Sequence, residues 1–575
     1  MRTARCQRAG WGKMLGTLLA LCTALSSAAH AALVTIENPT PGAVETGSAI
    51  SLQVTLAPEA DPGTLSVALN GIPITDRLSS AGFQRTAILA GVPGRHGAPR
   101  RGLNFLQVSV AGSGGTTDSQ RVRFRWRPRV QRVHVIVVGN KLDFAAYESF
   151  ATWQAEVDRI FRDLVRPRLR KRVPNLVVLT EDFGLPAALI GSRGAAARAA
   201  RDADPLTALT NLFITYGAQA GYYSANFTLP GTGLQPLARA LELALTDTLT
   251  RAFLPPLAAA ARAHGVYLVA CTNVAPSVLS TDAADVSFFG DIDNPARTDV
   301  YLPVGIDTYN TAFFWGPDGE LIGTTRKVNL TAPEIDLLNL SNGALEDVQA
   351  FDTPIGRIGI AISLDAFIPD YVQRLNDLGA VLVVQPDANP GQWANAVGEP
   401  NPDSWQPDEW LDSIMGMLAD EYPNIYYNAT SMMTGGFFPG VLDASGNPTG
   451  IVFDGQSTIT RRAHRPPRRD FVATLPGDAI RLFGTKPLIG EFVALSPWAF
   501  PDPGTLATPR ALDDLLAQCG SSVPRGSDPQ TLSLADRQRI LIECADTLMP
   551  GGRNAGAYRE SVIAADLRPP VARNP

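Results

Sequence analysis

The stretch from Thr353 to Pro386 constrains the fold more than any other part of the chain. Thr353-Pro354-Ile355-Gly356 is a tight turn that enters the apolar run Ile358-Gly359-Ile360-Ala361-Ile362, a buried strand. That strand ends on a turn at Ser363-Leu364-Asp365. Ile368-Pro369-Asp370 then starts a helix, and Gly379-Ala380-Val381-Leu382-Val383-Val384-Gln385-Pro386 brings a further apolar run. A strand–turn–helix unit of this kind belongs to an α/β architecture, in which central sheets are covered by helices.

The same alternation extends over much of the chain. Val133 to Val138 is a largely apolar strand interrupted only by His134. Phe150, Trp153, Val157, Ile160, Phe161 and Leu164 recur at a 3.6-residue period and define one helix face. Strands are expected at Leu176–Thr180, Val266–Ala270 and Ile425–Tyr427, with a long Ala/Leu-rich helical stretch over 232–263. A hairpin runs through Phe313-Phe314-Trp315 and turns at Pro317-Asp318-Gly319; another is expected around Asp443–Gly446. Ahead of this, residues 32–128 carry short alternating runs such as Ser51–Leu56, Leu65–Leu69 and Leu106–Val110, separated by turn signals that include Asn70-Gly71. They suggest a small β-sandwich of immunoglobulin-like type, without a Cys pair or a core Trp of antibody type.

Residues 1–31 have the layout of a cleavable export signal. Arg2, Arg5, Arg8 and Lys13 precede the short apolar run Met14–Leu25, and Ala29-His30-Ala31 is an A-x-A cleavage site. The mature protein is therefore expected to be exported, to the periplasm or the medium, with no transmembrane segment. In that compartment Cys519 and Cys544 make a plausible disulfide, the alternative being two separate buried thiols, and Cys271 is expected to be buried and inert. A net charge of -6 gives no reason to expect nucleic acid. The one basic cluster, Arg461-Arg462-Ala463-His464-Arg465-Pro466-Pro467-Arg468-Arg469, is a Pro-containing loop. The histidines are isolated and no C-x-x-C exists, so no metal or other cofactor is implied.

Three segments carry a resemblance. Asn175-Leu176-Val177-Val178-Leu179-Thr180-Glu181 is a strand ending in a Glu. Gly319-Glu320-Leu321-Ile322-Gly323-Thr324-Thr325-Arg326-Lys327-Val328-Asn329-Leu330 places a Lys after a hairpin strand, and the third segment is the turn at Ser363. In order and context they resemble the nitrilase, or carbon–nitrogen hydrolase, superfamily over residues 132–490. The resemblance implies an α-β-β-α sandwich over 129–490, a homodimer, and a Pro-rich and helical extension over 491–575 of the kind that often wraps a partner subunit. It also assigns roles: Glu181 as general base, Lys327 as the ammonium that stabilises the tetrahedral charge, and the backbone N–H of Leu364 as its partner in that task. Glu334 either matches a further supporting Glu or is a first-turn helix residue behind an N1 Pro.

The departure lies at Ser363, where the family has a nucleophilic Cys. A thiol titrates near 8.5 and is partly ionised at neutral pH, whereas a serine hydroxyl is several units weaker and Glu181 is a poor base for it unless its pKa is raised. Serine hydrolases use His for this task. Of His30, His96, His134, His264 and His464, none falls in a segment assigned to the site. Two readings follow. The chain is an exported hydrolase of non-peptide amides or nitriles with a Glu181–Lys327–Ser363 variant of the triad. Alternatively it is a catalytically silent protein of that fold, binding a small amide, nitrile or carboxylate ligand through Lys327, or a surface partner.

Overall fold

A computed structural model describes residues 32–127, 132–389, 410–437, 451–462, 490–496 and 560–568, apart from breaks at 47–48, 76–77, 91–98, 100–101, 201–204, 411–412 and 420. Residues 1–31, His96, the turn expected at Asp443–Gly446, His464 and both Cys519 and Cys544 lie outside the described residues.

Residues 34–127 are built of strands and turns with one short 3-10 turn at Pro62–Thr64. One sheet has the order Val34–Asn38, Ala49–Leu56, Gln84–Ala90, Ser79–Ala81; the other has Val44–Thr46, Thr117–Arg127, Gly102–Ala111, Ser66–Leu69, Ile72–Pro73. Along Gly102–Ala111 alternate side chains turn inward, the period of two that a strand with one buried face requires. Asn70 and Gly71 both take positive φ, at 53° and 84°, as a two-residue hairpin turn between right-twisted strands demands. Inward residues of both sheets, among them Val54, Leu69, Val108 and Phe124, share one core. Trp126, in the last strand, is fully buried in that core.

Apart from two small two-stranded pairings, the remaining described strands form two six-stranded sheets. Their strands in chain order are β1 (Val133–Gly139), β2 (Asn175–Val178), β3 (Tyr267–Val274), β4 (Tyr309–Trp315), β5 (Leu321–Arg326), β6 (Ala350–Thr353), β7 (Gly356–Ile360), β8 (Leu382–Asp387), β9 (Tyr427–Met432), β10 (Thr458–Arg462), β11 (Gly490–Leu495) and β12 (Ser561–Leu567). The first sheet runs β5-β4-β3-β2-β1-β12 and the second β6-β7-β8-β9-β10-β11. Each has a parallel centre, β1-β2-β3 and β7-β8-β9, flanked by antiparallel strands.

Burial sorts the layers. Val135, Val178, Val269 and Phe314 of the first sheet meet Ile358, Ile360, Val384 and Ala429 of the second in one cluster, so the sheets face each other. The opposite face of the first sheet, with Ile136, Val177 and Leu268, packs against helices through Trp153, Val157, Phe253 and Leu257. The outer face of the second, with Ala361 and Val383, packs against Tyr371, Val372 and Leu375 of the helix Pro369–Asp377. The result is four layers, α-β-β-α, as the resemblance implied.

Two details hold the frame. The helix Thr246–His264 contains Pro255 and Pro256. Pro256 has no N–H to give to the carbonyl of Ala252 one turn back, and the buried Trp153 Nε1 donates to that carbonyl instead, at 2.6 Å. The second detail lies in the region expected to be a Pro-rich and helical extension: residues 561–567 are a strand that adds to the edge of β1, Ser561 opposite Gly139 and Leu567 opposite Val133. Asp566 Oδ1 lies 2.6 Å from Nδ1 of the buried His134, and Glu560 accepts from both terminal nitrogens of Arg159 at 2.6 and 2.9 Å. The polar interruption of β1 is thus a partner for the chain's last described strand.

Candidate active site

The side chains singled out from the sequence come from one end of the two sheets. Glu181 lies just past the C-terminal end of β2, Lys327 just past β5, and Ser363 just past β7, where ligands of α/β sheets characteristically bind. Asn310, at the start of the antiparallel β4, completes the group from the same end.

Lys327 is the centre. It is 1% exposed, and its Nζ donates to Glu181 Oε1 and to Glu334 Oε2, both at 2.7 Å. Asn310 Nδ2 donates to the same two carboxylates, 2.9 Å from Glu181 Oε1 and 2.9 Å from Glu334 Oε1. Glu181 Oε2 accepts the backbone N–H of Ala388 at 3.0 Å, which ties the first sheet's acid to the end of β8 in the second. Thr180, just before Glu181, donates its hydroxyl to Asn140 Oδ1 at 2.9 Å. Glu334 makes two sets of contacts. It sits in the first turn of Ala332–Asp336, where Oε2 accepts the N–H and the hydroxyl of Thr331 at 2.8 and 2.9 Å, while the same carboxylate grips Lys327.

The donor counts separate the two acids. Burial pushes the Glu181 carboxyl above its ordinary value, opposed by Lys327 and raised further by the Glu334 charge. Burial also acts on Glu334, but Lys327, Thr331 and Asn310 outweigh it and hold its pKa down. Burial alone would lower the Lys327 pKa; the two glutamates reverse this and hold the ammonium charged. Glu334 is therefore a fixed counter-ion, and Glu181 is the more readily protonated of the two.

Ser363 is 5% exposed and has φ of +46°, in the left-handed region that a residue with a Cβ seldom adopts. Such a conformation costs about 1–3 kcal/mol and concentrates at functional turns. No side chain caps the 3-10 turn Ser363–Phe367, so its leading N–H groups, that of Leu364 among them, are left for another acceptor. Asp365 fastens this turn to the lysine loop: its carboxyl accepts the N–H of Asn329 at 2.8 Å, Asn329 Nδ2 at 2.9 Å and the N–H of Val328 at 3.2 Å. Burial raises its pKa to about 7 against those donors. Ser363 Oγ has no hydrogen-bond partner among the described residues.

The two described histidines are elsewhere: His134 against Asp566, and His264 beside the Phe161 ring at 5.3 Å. Cys271 is buried in the core between the sheets, and the buried environment and nearby carboxylates keep its thiol protonated. No group of metal-ligating side chains occurs, and no helix is long and apolar enough to cross a membrane, among the described residues. Sequence reasoning missed Asn310, the Ala388 N–H and the buried Asp387 at the end of β8, whose Oδ2 accepts from Trp410 Nε1 at 2.7 Å. A polar residue in a strand and a main-chain N–H carry no motif by which to find them.

Residues 189–458 match the family described as Carbon-nitrogen hydrolase, a segment that includes Lys327, Glu334 and Ser363 and begins after Glu181. Two Arabidopsis thaliana proteins are similar over shorter stretches. Nitrilase 3 is 34% identical over 85 residues, 15% of this chain and 24% of that protein. Nitrilase 2 is 31% identical over 99 residues, 16% of this chain and 29% of that protein. The matches thus span only about a quarter of those relatives' length. Among solved structures, a carbon–nitrogen hydrolase from Helicobacter pylori G27 aligns over 58% of this chain and 82% of its own, at 15% identity and a TM-score of 0.32.

Proposed function

The chain belongs to the carbon–nitrogen hydrolase, or nitrilase, superfamily, and we propose that it hydrolyses a non-peptide amide or nitrile C–N bond with a Glu181–Lys327–Ser363 triad. The observation that carries this reading is the Lys327 ammonium held at 2.7 Å by two buried carboxylates, one of them raised in pKa, with Asp365 tying the loop after Lys327 to the left-handed turn at Ser363.

In this reading Ser363 Oγ attacks the amide carbon as its proton passes to Glu181. The oxygen of the tetrahedral adduct is met by Lys327 Nζ and the Leu364 N–H. Glu181 returns the proton to the leaving nitrogen, which departs as ammonia or amine and leaves an ester on Ser363. Water then attacks that ester with Glu181 again taking a proton, and the acid is released with the serine restored. A raised Glu181 pKa favours the proton transfers that a hydroxyl nucleophile needs. Glu334 and Asn310 act as positioning residues that keep Lys327 charged and Glu181 oriented.

Further expectations belong to the same proposal. The leader directs export, residues 32–128 form an immunoglobulin-like module that docks to a surface partner, and the catalytic domain dimerises. The test of the triad is release of ammonia or amine from a panel of amides and nitriles by the mature protein and by Ser363→Ala, Ser363→Cys and Lys327→Ala. Turnover that Ser363→Ala abolishes supports it. A silent natural protein whose Ser363→Cys variant is active would instead support the ligand-binding reading.

A further inference from the structure

The strand Thr117–Arg127 of the N-terminal module carries an arginine at every second position from 121 to 125. The alternation is strict. Val122, Phe124 and Trp126 are buried in the core of the sandwich, and Arg121, Arg123 and Arg125 are exposed on the other face of the five-stranded sheet. Residues two apart on a strand repeat at about 6.8 Å, so the three arginines stand in a line about 14 Å long.

Strand register sets their neighbours. Arg125 lies between Val44 and Leu103, Arg123 is opposite Phe105 and Arg121 is opposite Gln107, and none of these neighbours is acidic. Arg121 stands over the Phe105 ring, 4.7 Å from its centroid. None of the three guanidinium groups has an ion-pair or hydrogen-bond partner among the described residues. A solvated strand face gains from opposite charges across the strands and loses from like charges side by side, so this row stands against its own repulsion. It also runs against the chain as a whole, whose net charge is -6. Val44 and Leu103, 51% and 44% exposed, set one aliphatic side chain on each side of Arg125.

We propose that this face docks the protein to an anionic lipid surface, with Arg121, Arg123 and Arg125 pairing with phosphate groups and Val44 and Leu103 entering the headgroup layer. The planar guanidinium fork matches phosphate and keeps its charge while stacked on an aromatic ring. The aliphatic pair decides between anionic partners. A soluble polyanion offers Val44 and Leu103 nothing, whereas a bilayer offers them its apolar boundary. The inference rests on the reading of residues 32–128 as a docking module and is independent of the chemistry at Ser363.

The test is co-sedimentation of the mature protein with vesicles of phosphatidylcholine, and with vesicles of an equal mixture of phosphatidylcholine and phosphatidylglycerol. Each arginine near such a surface is worth about fivefold in partitioning, so three give roughly a hundredfold preference for the anionic vesicles, which falls as salt rises. Arg121→Ser, Arg123→Ser and Arg125→Ser should each lower it about fivefold, and the three together should abolish it with the thermal unfolding midpoint unchanged. Val44→Ser combined with Leu103→Ser should weaken vesicle binding several-fold and leave retention on heparin as it was. Equal partitioning into neutral and anionic vesicles overturns the proposal. Arginine-dependent retention on heparin without vesicle binding makes the partner a soluble polyanion and overturns the lipid assignment. Vesicle binding that survives the triple substitution overturns this face and leaves the docking module standing. Binding to neither vesicles nor heparin overturns the proposal, while amide turnover read on the same sample decides the hydrolase reading separately.

Discussion

Replacing Lys327 by Met tests the electrostatics of the site in isolation from its chemistry. Met fills a similar volume without a charge, so the packing lost at this 1%-exposed position is small. What remains is two buried glutamates sharing Asn310 Nδ2 with no ammonium between them. Removing one partner of a buried ion pair costs about 3–5 kcal/mol, because the remaining charge stays desolvated. The loss should depend on pH. Glu334 keeps the Thr331 N–H, the Thr331 hydroxyl and Asn310; Glu181 keeps only Asn310 and the Ala388 N–H. Glu181, already raised, is therefore the group that takes up a proton when the ammonium is gone. A carboxyl whose folded pKa exceeds its unfolded value binds more protons in the folded state, so stability falls as pH rises between the two values. Urea unfolding should show Lys327→Met least destabilised near about pH 5 and most at about pH 8, and adding Glu181→Gln should recover much of the loss at the higher pH. A loss under about 1 kcal/mol, or one with no pH dependence, would refute the reasoning.

Three further outcomes follow from particular contacts. Glu242 is buried, with Oε2 unpartnered among the described residues, and burial raises its pKa from 4.5 to about 7 despite Arg239. Its folded pKa is the higher one, so the natural protein loses stability as pH rises through that window, and Glu242→Gln should gain relative to it by up to about 3 kcal/mol between about pH 5 and pH 8 in paired urea melts. Trp153→Phe keeps an aromatic ring but removes the indole N–H and part of the buried volume, leaving the Ala252 carbonyl without its side-chain donor, so chemical denaturation should show a loss of about 1–3 kcal/mol. Gly184→Ala would set a Cβ 2.4 Å from Phe253 and 2.6 Å from Thr272; calorimetry should show a lower midpoint, and amide turnover should fall because the displaced segment carries Glu181.

The layers and most of the site were legible because their signals are local. A run such as Ile358–Ile362 between a tight turn and a Pro-marked helix start has one reading, and Lys327 and Ser363 lie at the ends of such runs. Glu334 stayed ambiguous because a helix-capping Glu and a lysine partner look the same in sequence, and here one carboxylate does both. The strand Ser561–Leu567 was missed for the opposite reason: its partner β1 lies more than four hundred residues away, and a short run after a Pro-rich tail carries no mark of the edge it will join. His134 was noted as an interruption of β1, but only the folded chain shows that Asp566 meets it.

The central claim is that Ser363 is a nucleophile. Its most direct test is intact-mass and peptide analysis of the mature protein after brief exposure to an activated acyl amide, beside Ser363→Ala. The account predicts a single acyl ester on the peptide that holds Ser363, discharged by water as acid appears, with no adduct on the variant. Amide turnover that persists in Ser363→Ala, or an adduct formed at another residue, would contradict it.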